Sequence, residues 1–140
     1  MKTIWTSFYG AAARLPSDLP QVSISLGVPR FWSPPDKVRR KEPLLAPDRP
    51  LLDRAKKDPD FDWKAAYRTR FEPTLEEAFE RLPDGAVLLC WEADWNECHQ
   101  KVVFEMFAAA GFDMNGGEFP AGPGGKKKKT PPGFAQLPLI

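Results

Sequence analysis

The spacing of hydrophobic and polar positions changes period several times along the chain. KTIWTS (residues 2–7) groups the β-formers Thr3, Ile4, Trp5 and Thr6, which predicts a first strand. QVSISL (21–26) alternates, with Val22, Ile24 and Leu26 on one side and Ser23 and Ser25 on the other. This predicts a second strand, ended by Gly27 and Pro29. The intervening SFYGAAARLPSDLP reads as a short helical turn or loop. AVLLC (86–90) is an unbroken apolar run, the pattern of a central strand covered on both faces.

Helical periodicity fills much of the second half. Phe61, Ala65, Ala66 and Phe71 predict a helix over 61–72 that Pro73 stops. Thr74 and Glu77 fit a capping box for the next helix, TLEEAFERL, with Leu75, Ala78, Phe79 and Leu82 as its buried stripe. Pro83, Asp84 and Gly85 form the turn into AVLLC. After the segment WEADWNE, residues 97–110 predict a helix that buries Val102, Val103, Met106, Phe107 and Ala110. Gly111 follows, where a left-handed residue is wanted.

Two regions break these patterns. Residues 27–60 are rich in proline and in basic side chains, which reads as a long functional or mobile loop holding one short helix, LLDRAKK. From Asn115 onward the chain carries six of its ten glycines and the run Lys126–Lys129. A short strand at 112–114 is expected to end the folded part. Residues 115–140 are expected to form a disordered, solvated tail, because little apolar surface is left to offset the ordering entropy.

At 140 residues the chain fits one domain, and its net charge of +1 removes strong whole-molecule steering toward nucleic acid or membrane. No run approaches the length of a membrane-spanning helix, and MKTIWTSFYG lacks the apolar core of a signal peptide. The expected location is therefore cytoplasmic, where Cys90 and Cys98 stay reduced.

Chemistry concentrates in AVLLCWEADWNECHQ. The AVLLC strand puts Cys90 at a carboxyl end, and Cys98 and His99 fall in the first turn of the next helix. Ligands of open α/β sheets bind at such strand ends. The helix start, capped by Asp94 or Asn96, adds free amides and a partial positive charge. That potential lowers a thiol pKa, so Cys98 is the better nucleophile, with His99 handling protons and Glu92 orienting the histidine. Cys90 reads as a packed small hydrophobe that also borders the ligand. Neighbouring residues on a helix do not face each other, which weakens a Cys98–His99 pair. The cysteine spacing fits no usual zinc pattern, and no phosphate-loop or nucleophile-elbow motif occurs, so neither metal nor cofactor is expected.

The order apolar strand, Cys90, any residue, Glu92, short loop, Cys98-His99 resembles domain-of-unknown-function family 488, found in bacteria and phages. IWTSFYGAAARLP and VSISLGVPRFW resemble its small phage-type branch. Gln100 stands where that family typically has arginine, so Arg14, Arg30, Arg68 or Arg70 would have to supply the cation. The resemblance implies mainly fold: an α/β class, compact three-layer domain with a small mostly parallel sheet, over residues 1–114.

Three functions follow as expectations. The first is a crevice that binds a small phosphate-bearing or nucleotide-like ligand through Thr6, Ser7, Tyr9, Arg14, Cys90 and Trp91, in a phage protein able to sequester a nucleotide signal. The second is a thiol-dependent enzyme using Cys98, His99 and Glu92. The third, less favoured, is a nucleic-acid accessory protein using the basic loop and lysine tail. No membrane partner is expected, and oligomeric state is not set by the sequence.

Overall fold

The computed structural model describes residues 1–32, 38–91 and 99–120. Its core is a five-stranded sheet: β1 (Lys2–Phe8), β2 (Gln21–Ser23), β3 (Arg39–Lys41), β4 (Ala86–Cys90) and β5 (Met114–Glu118), in the spatial order β3-β2-β4-β1-β5. Every pairing is parallel, with Ile4 opposite both Ala86 and Gly116, and Val22 opposite Leu88. The α/β class is thus observed, and the sheet is parallel throughout.

Four α-helices accompany it among the described residues: α1 (Arg49–Lys57), α2 (Trp63–Phe71), α3 (Leu75–Arg81) and α4 (His99–Ala109). The alternation read in QVSISL decides what each face meets. Val22 and Ile24 join Ile4, Leu88 and Met114 against Tyr67, Phe71, Ala78, Val103 and Phe107 of the helices. The opposite face buries Val87 and Leu89 under a 3-10 helix, Tyr9–Arg14, and under Leu15 and Trp32. Three layers result, but the second cover is a 3-10 helix and connecting chain.

Polar anchors make that second cover specific. Trp32 is fully buried, and its indole donates to Gln21 Oε1 at 2.8 Å, while Gln21 Nε2 donates to Ala12 O at 3.2 Å. Ser23 and Ser25 also face this side, and both hydroxyls meet the Tyr9 hydroxyl, at 2.6 and 2.5 Å. A buried hydroxyl without a partner is costly, so this cluster favours one arrangement of the covering segment.

Several expectations are revised. Residues 27–60 hold more order than a loop. Arg39, Arg40 and Lys41 form the edge strand β3, whose charge guards an open edge against further pairing. The helix read as LLDRAKK begins earlier, at Arg49, because Asp48 caps it by accepting from Leu51 N at 2.9 Å, and Pro50 suits the first turn. Thr74 makes no side-chain cap, since a 3-10 turn over Glu72–Thr74 leads straight into α3. On α4, Phe104 is buried, whereas Ala110 beyond its end is exposed. Gly111 does take a positive φ, +80°.

The folded part also runs past the boundary expected at residue 114. Met114–Glu118 pairs with β1, and Phe119 packs edge-on against Trp5 with ring centroids 5.1 Å apart. The rest of the expected tail, 121–140, with Lys126–Lys129, lies outside the described residues. No helix among the described residues is long and apolar enough to cross a membrane.

Gly116 shows why a glycine-rich segment can serve as a strand. Its φ is +113°, and a Cβ there would fall 2.0 Å from Ile4 O. Gly116→Ala should therefore destabilise the fold by more than about 2 kcal/mol, read as a lower urea midpoint. An unchanged midpoint would show that β5 does not pair with β1 in this register.

Candidate functional site

β2 and β4 are neighbours, yet the chain leaves them in opposite directions. After β2 it moves outward to β3. After β4 it passes over β1 to β5 on the far side. A crevice opens between two such departures at the carboxyl ends of parallel strands, the usual ligand position in open α/β sheets. This chain has a cleft there of about 440 Å³. Ser25, Leu26 and Gly27 line it from the end of β2, Cys90 and Trp91 from β4, and His99 from the start of α4. Leu52, Ala55 and Lys56 of α1, with Trp63 and Tyr67 of α2, complete it beside Pro47.

His99 forms the floor. It is 6% exposed and stacks on Tyr67, with ring centroids 4.9 Å apart and planes within 5°. Its Nε2 lies 2.5 Å from Ile24 O. A carbonyl only accepts, so Nε2 carries the proton and the neutral ring keeps its lone pair on Nδ1. Burial pushes the imidazole pKa down to about 4, and the Ile24 carbonyl offsets only part of this. Near neutral pH the floor of the cleft therefore carries no charge.

The Nδ1 lone pair faces sulfur: Cys90 Sγ is 3.7 Å away. Cys90 is 3% exposed and disulfide-bonded, contrary to the expectation that it stays a thiol. A disulfide sulfur has no proton to donate, so this approach is a contact and not a hydrogen bond. Cys98, the chain's other cysteine, and Glu92 lie outside the described residues, as do Asp94, Trp95 and Asn96. Among the described residues no group of three His, Cys, Asp or Glu could hold a metal ion.

The aromatic walls are Trp63 and Trp91. Trp91 is 54% exposed, and its indole donates to Gly27 O at 3.0 Å while it meets Tyr9 edge-on at 5.4 Å. Trp63 is half-buried and packs edge-on to Tyr67 at 5.4 Å. Both rings are therefore positioned by second contacts while still bordering the cavity.

Of the residues expected to bind ligand, Cys90 and Trp91 line this cleft, together with His99. The others do not. Thr6 lies fully buried in β1, and its Oγ1 has no hydrogen-bond partner among the described residues. Ser7 offers its carbonyl to Gln100 Nε2. Tyr9 is buried behind Trp91, held by Ser23 and Ser25, and burial raises its pKa. Arg14 is exposed at the end of the 3-10 helix, away from the lining. Thr6 and Ser7 lie in the last residues of β1 and Tyr9 and Arg14 follow it, but β4 lies between β1 and β2, so the crevice opens one strand away. Gln100 is 2% exposed and also donates to Leu88 O at 2.9 Å, tying β1 to β4 without reaching the cleft.

The sequence reading missed Trp63, Tyr67, Lys56 and Ser25. A faint signal existed for the first two: they stand four apart, hence on one side of a helix, and each is an aromatic residue with a polar atom.

The His99 environment sets a pH dependence. Its folded pKa, about 4, lies below the ordinary value of 6.5, so the unfolded chain binds a proton that the folded protein refuses. Stability from this group is fully present above pH 6.5 and is lost as pH falls toward 4, by on the order of 3 kcal/mol. The stability gap between wild type and His99→Gln should narrow through that window in urea titrations. A gap that stays constant with pH would mean that His99 is not buried as the neutral form.

Cys90 offers a separate check. In denaturant without reductant it should resist iodoacetamide, and added reductant should make it alkylate. Labelling before reduction, read by mass spectrometry, would show instead that it is a thiol.

Scanned against protein-family models, curated proteins and solved structures, the chain gives no match.

Proposed function

We propose that this chain is a small-ligand-binding domain whose cleft takes a nucleotide-like molecule with a planar ring and an anionic group. The observation that carries the reading is the pair Trp63 and Trp91 bordering a cavity of about 440 Å³ at the β2–β4 crevice. That volume suits a compact ligand, and tryptophan faces stack on bases at little cost in specificity. The uncharged His99 beneath them favours an aromatic ring over a phosphate at the floor. Lys56, exposed, is the cation in the lining and favours an anionic ligand over a cationic one. Binding without chemistry agrees with a protein that sequesters a nucleotide signal, as a phage protein countering host defence would.

A second reading, thiol chemistry, is supported by the 3.7 Å approach of Cys90 Sγ to His99 Nδ1. Once reduced, the Cys90 thiol would face an imidazole lone pair, so Cys90 takes the nucleophile role that the sequence reading gave to Cys98. The disulfide weighs against this reading, and against a cytoplasmic location, as long as Cys90 stays oxidised. The nucleic-acid reading draws nothing from the cleft.

The binding reading is tested by tryptophan fluorescence with a panel of nucleosides and nucleotides. A ligand should quench emission and raise the melting temperature. Trp63→Ala should weaken binding by about tenfold or more, in line with ~1–3 kcal/mol per stacked base. If no member of the panel shifts either signal at millimolar concentration, the cleft is not a nucleotide site.

A further inference from the structure

A second hollow of about 310 Å³ adjoins the cleft and shares Ser25, Leu26 and Pro47 with it. The segment after β2, with Pro47, is thus a common wall of the two cavities. Its lining is charged: Lys41, Arg49 and Arg70 against Glu42 and Asp48.

The two acids are already committed. Glu42 is 2% exposed; its Oε1 lies 3.0 Å from Arg81 Nε, and its Oε2 accepts from Leu44 N at 3.2 Å. Asp48 pairs with Arg70 Nη1 at 3.1 Å and caps α1 with its other oxygen. Arg70 is held further by Ala46 O, 2.9 Å from its Nε. Each carboxylate is thus paired with an arginine, and Arg81, which also meets Glu77 at 3.5 Å, is not part of the lining.

Lys41 and Arg49 remain. Both are exposed. Lys41 makes only a 3.5 Å bond to Leu26 O, and Arg49 has no ion pair or side-chain hydrogen bond among the described residues. Two cations without carboxylate partners, at the mouth of a concave hollow, are suited to an anion with several oxygens. Arg70 pairs with Asp48 within the lining and so offsets the negative charge that such an anion would meet there.

We propose that this hollow is a phosphate subsite, so that the ligand is a nucleotide with its ring between Trp63 and Trp91 and its phosphate chain on Lys41 and Arg49. The assignment rests on the cleft being the ring site, and it adds a substrate class: affinity should rise from nucleoside to monophosphate to diphosphate.

Two probes keep the two readings apart. Inorganic pyrophosphate needs only the hollow. It should raise the melting temperature of the wild type at low salt, and both the shift and its salt sensitivity should vanish in Lys41→Gln/Arg49→Gln, whose changes are on exposed side chains. Adenosine and ADP, titrated by calorimetry, test the link. The ratio of ADP to adenosine affinity should drop at least fivefold in the double variant. Nucleoside binding with no gain from phosphates, and no response to pyrophosphate, would overturn the subsite while leaving the ring site standing. A pyrophosphate response without nucleoside binding would leave the hollow and remove the ring site. Pyrophosphate shifts equal in wild type and variant would place the anion elsewhere and end the proposal.

Discussion

The hydrogen bond from His99 Nε2 to the Ile24 carbonyl is the constraint from which the candidate site follows. It joins the first residue of α4 to the end of β2, across the end of β4. Apolar packing sets distance but not orientation. With the hydrogen bond, the imidazole plane is fixed and Tyr67 can stack flat upon it. Burying the ring under Tyr67 and Phe71 also makes the charged form expensive, so orientation and neutrality have one cause. The floor of the cleft is thereby a flat, uncharged ring.

The topology explains why that floor lies where it does. β4 is inserted between β1 and β2, so these two strands, consecutive in sequence, are not neighbours in the sheet. The chain turns outward after β2 and crosses back after β4. Covering segments cannot follow both departures closely, and the gap between them is the cleft. The side chains at this gap come from five separate elements, so no short motif contains the site.

This is also why the sequence disclosed the fold better than the site. Strand and helix periodicities are local properties, and they located β1, β4, α2, α3 and α4 near their observed positions. The alternation in QVSISL even gave the correct faces: Val22 and Ile24 toward the helices, Ser23 and Ser25 toward Tyr9. The edge strand β3 was hidden because Arg39–Lys41 owes its strand form to pairing with β2 and not to its own composition. β5 was hidden because its glycines suit a close backbone approach that only the neighbouring strand reveals. The ligand residues chosen after β1 depended on strand order, which hydrophobic period does not encode. Cys90, Trp91 and His99 were found because they flank one strand-to-helix crossing, the one part of the cleft that is local in sequence.

The charge arrangement carries the same lesson into function. Counted by composition, the nine basic residues between 27 and 60 are largely offset by six acids of the same region, which argues for a solvated segment. In three dimensions the cancellation is uneven. Arg70, from α2, takes Asp48, and Arg81, from α3, takes the buried Glu42. Those two arginines come from outside the basic segment, so acids counted against Lys41 and Arg49 are neutralised from elsewhere. A near-zero net charge can therefore coexist with two cations, Lys41 and Arg49, that lack carboxylate partners among the described residues, in a hollow that shares lining residues with an aromatic cleft. Stacking and phosphate recognition draw on different physics, dispersion with desolvation in one case and screened Coulomb attraction in the other. Salt should therefore weaken the second and spare the first, so the two parts of the proposed site are separable in the same protein.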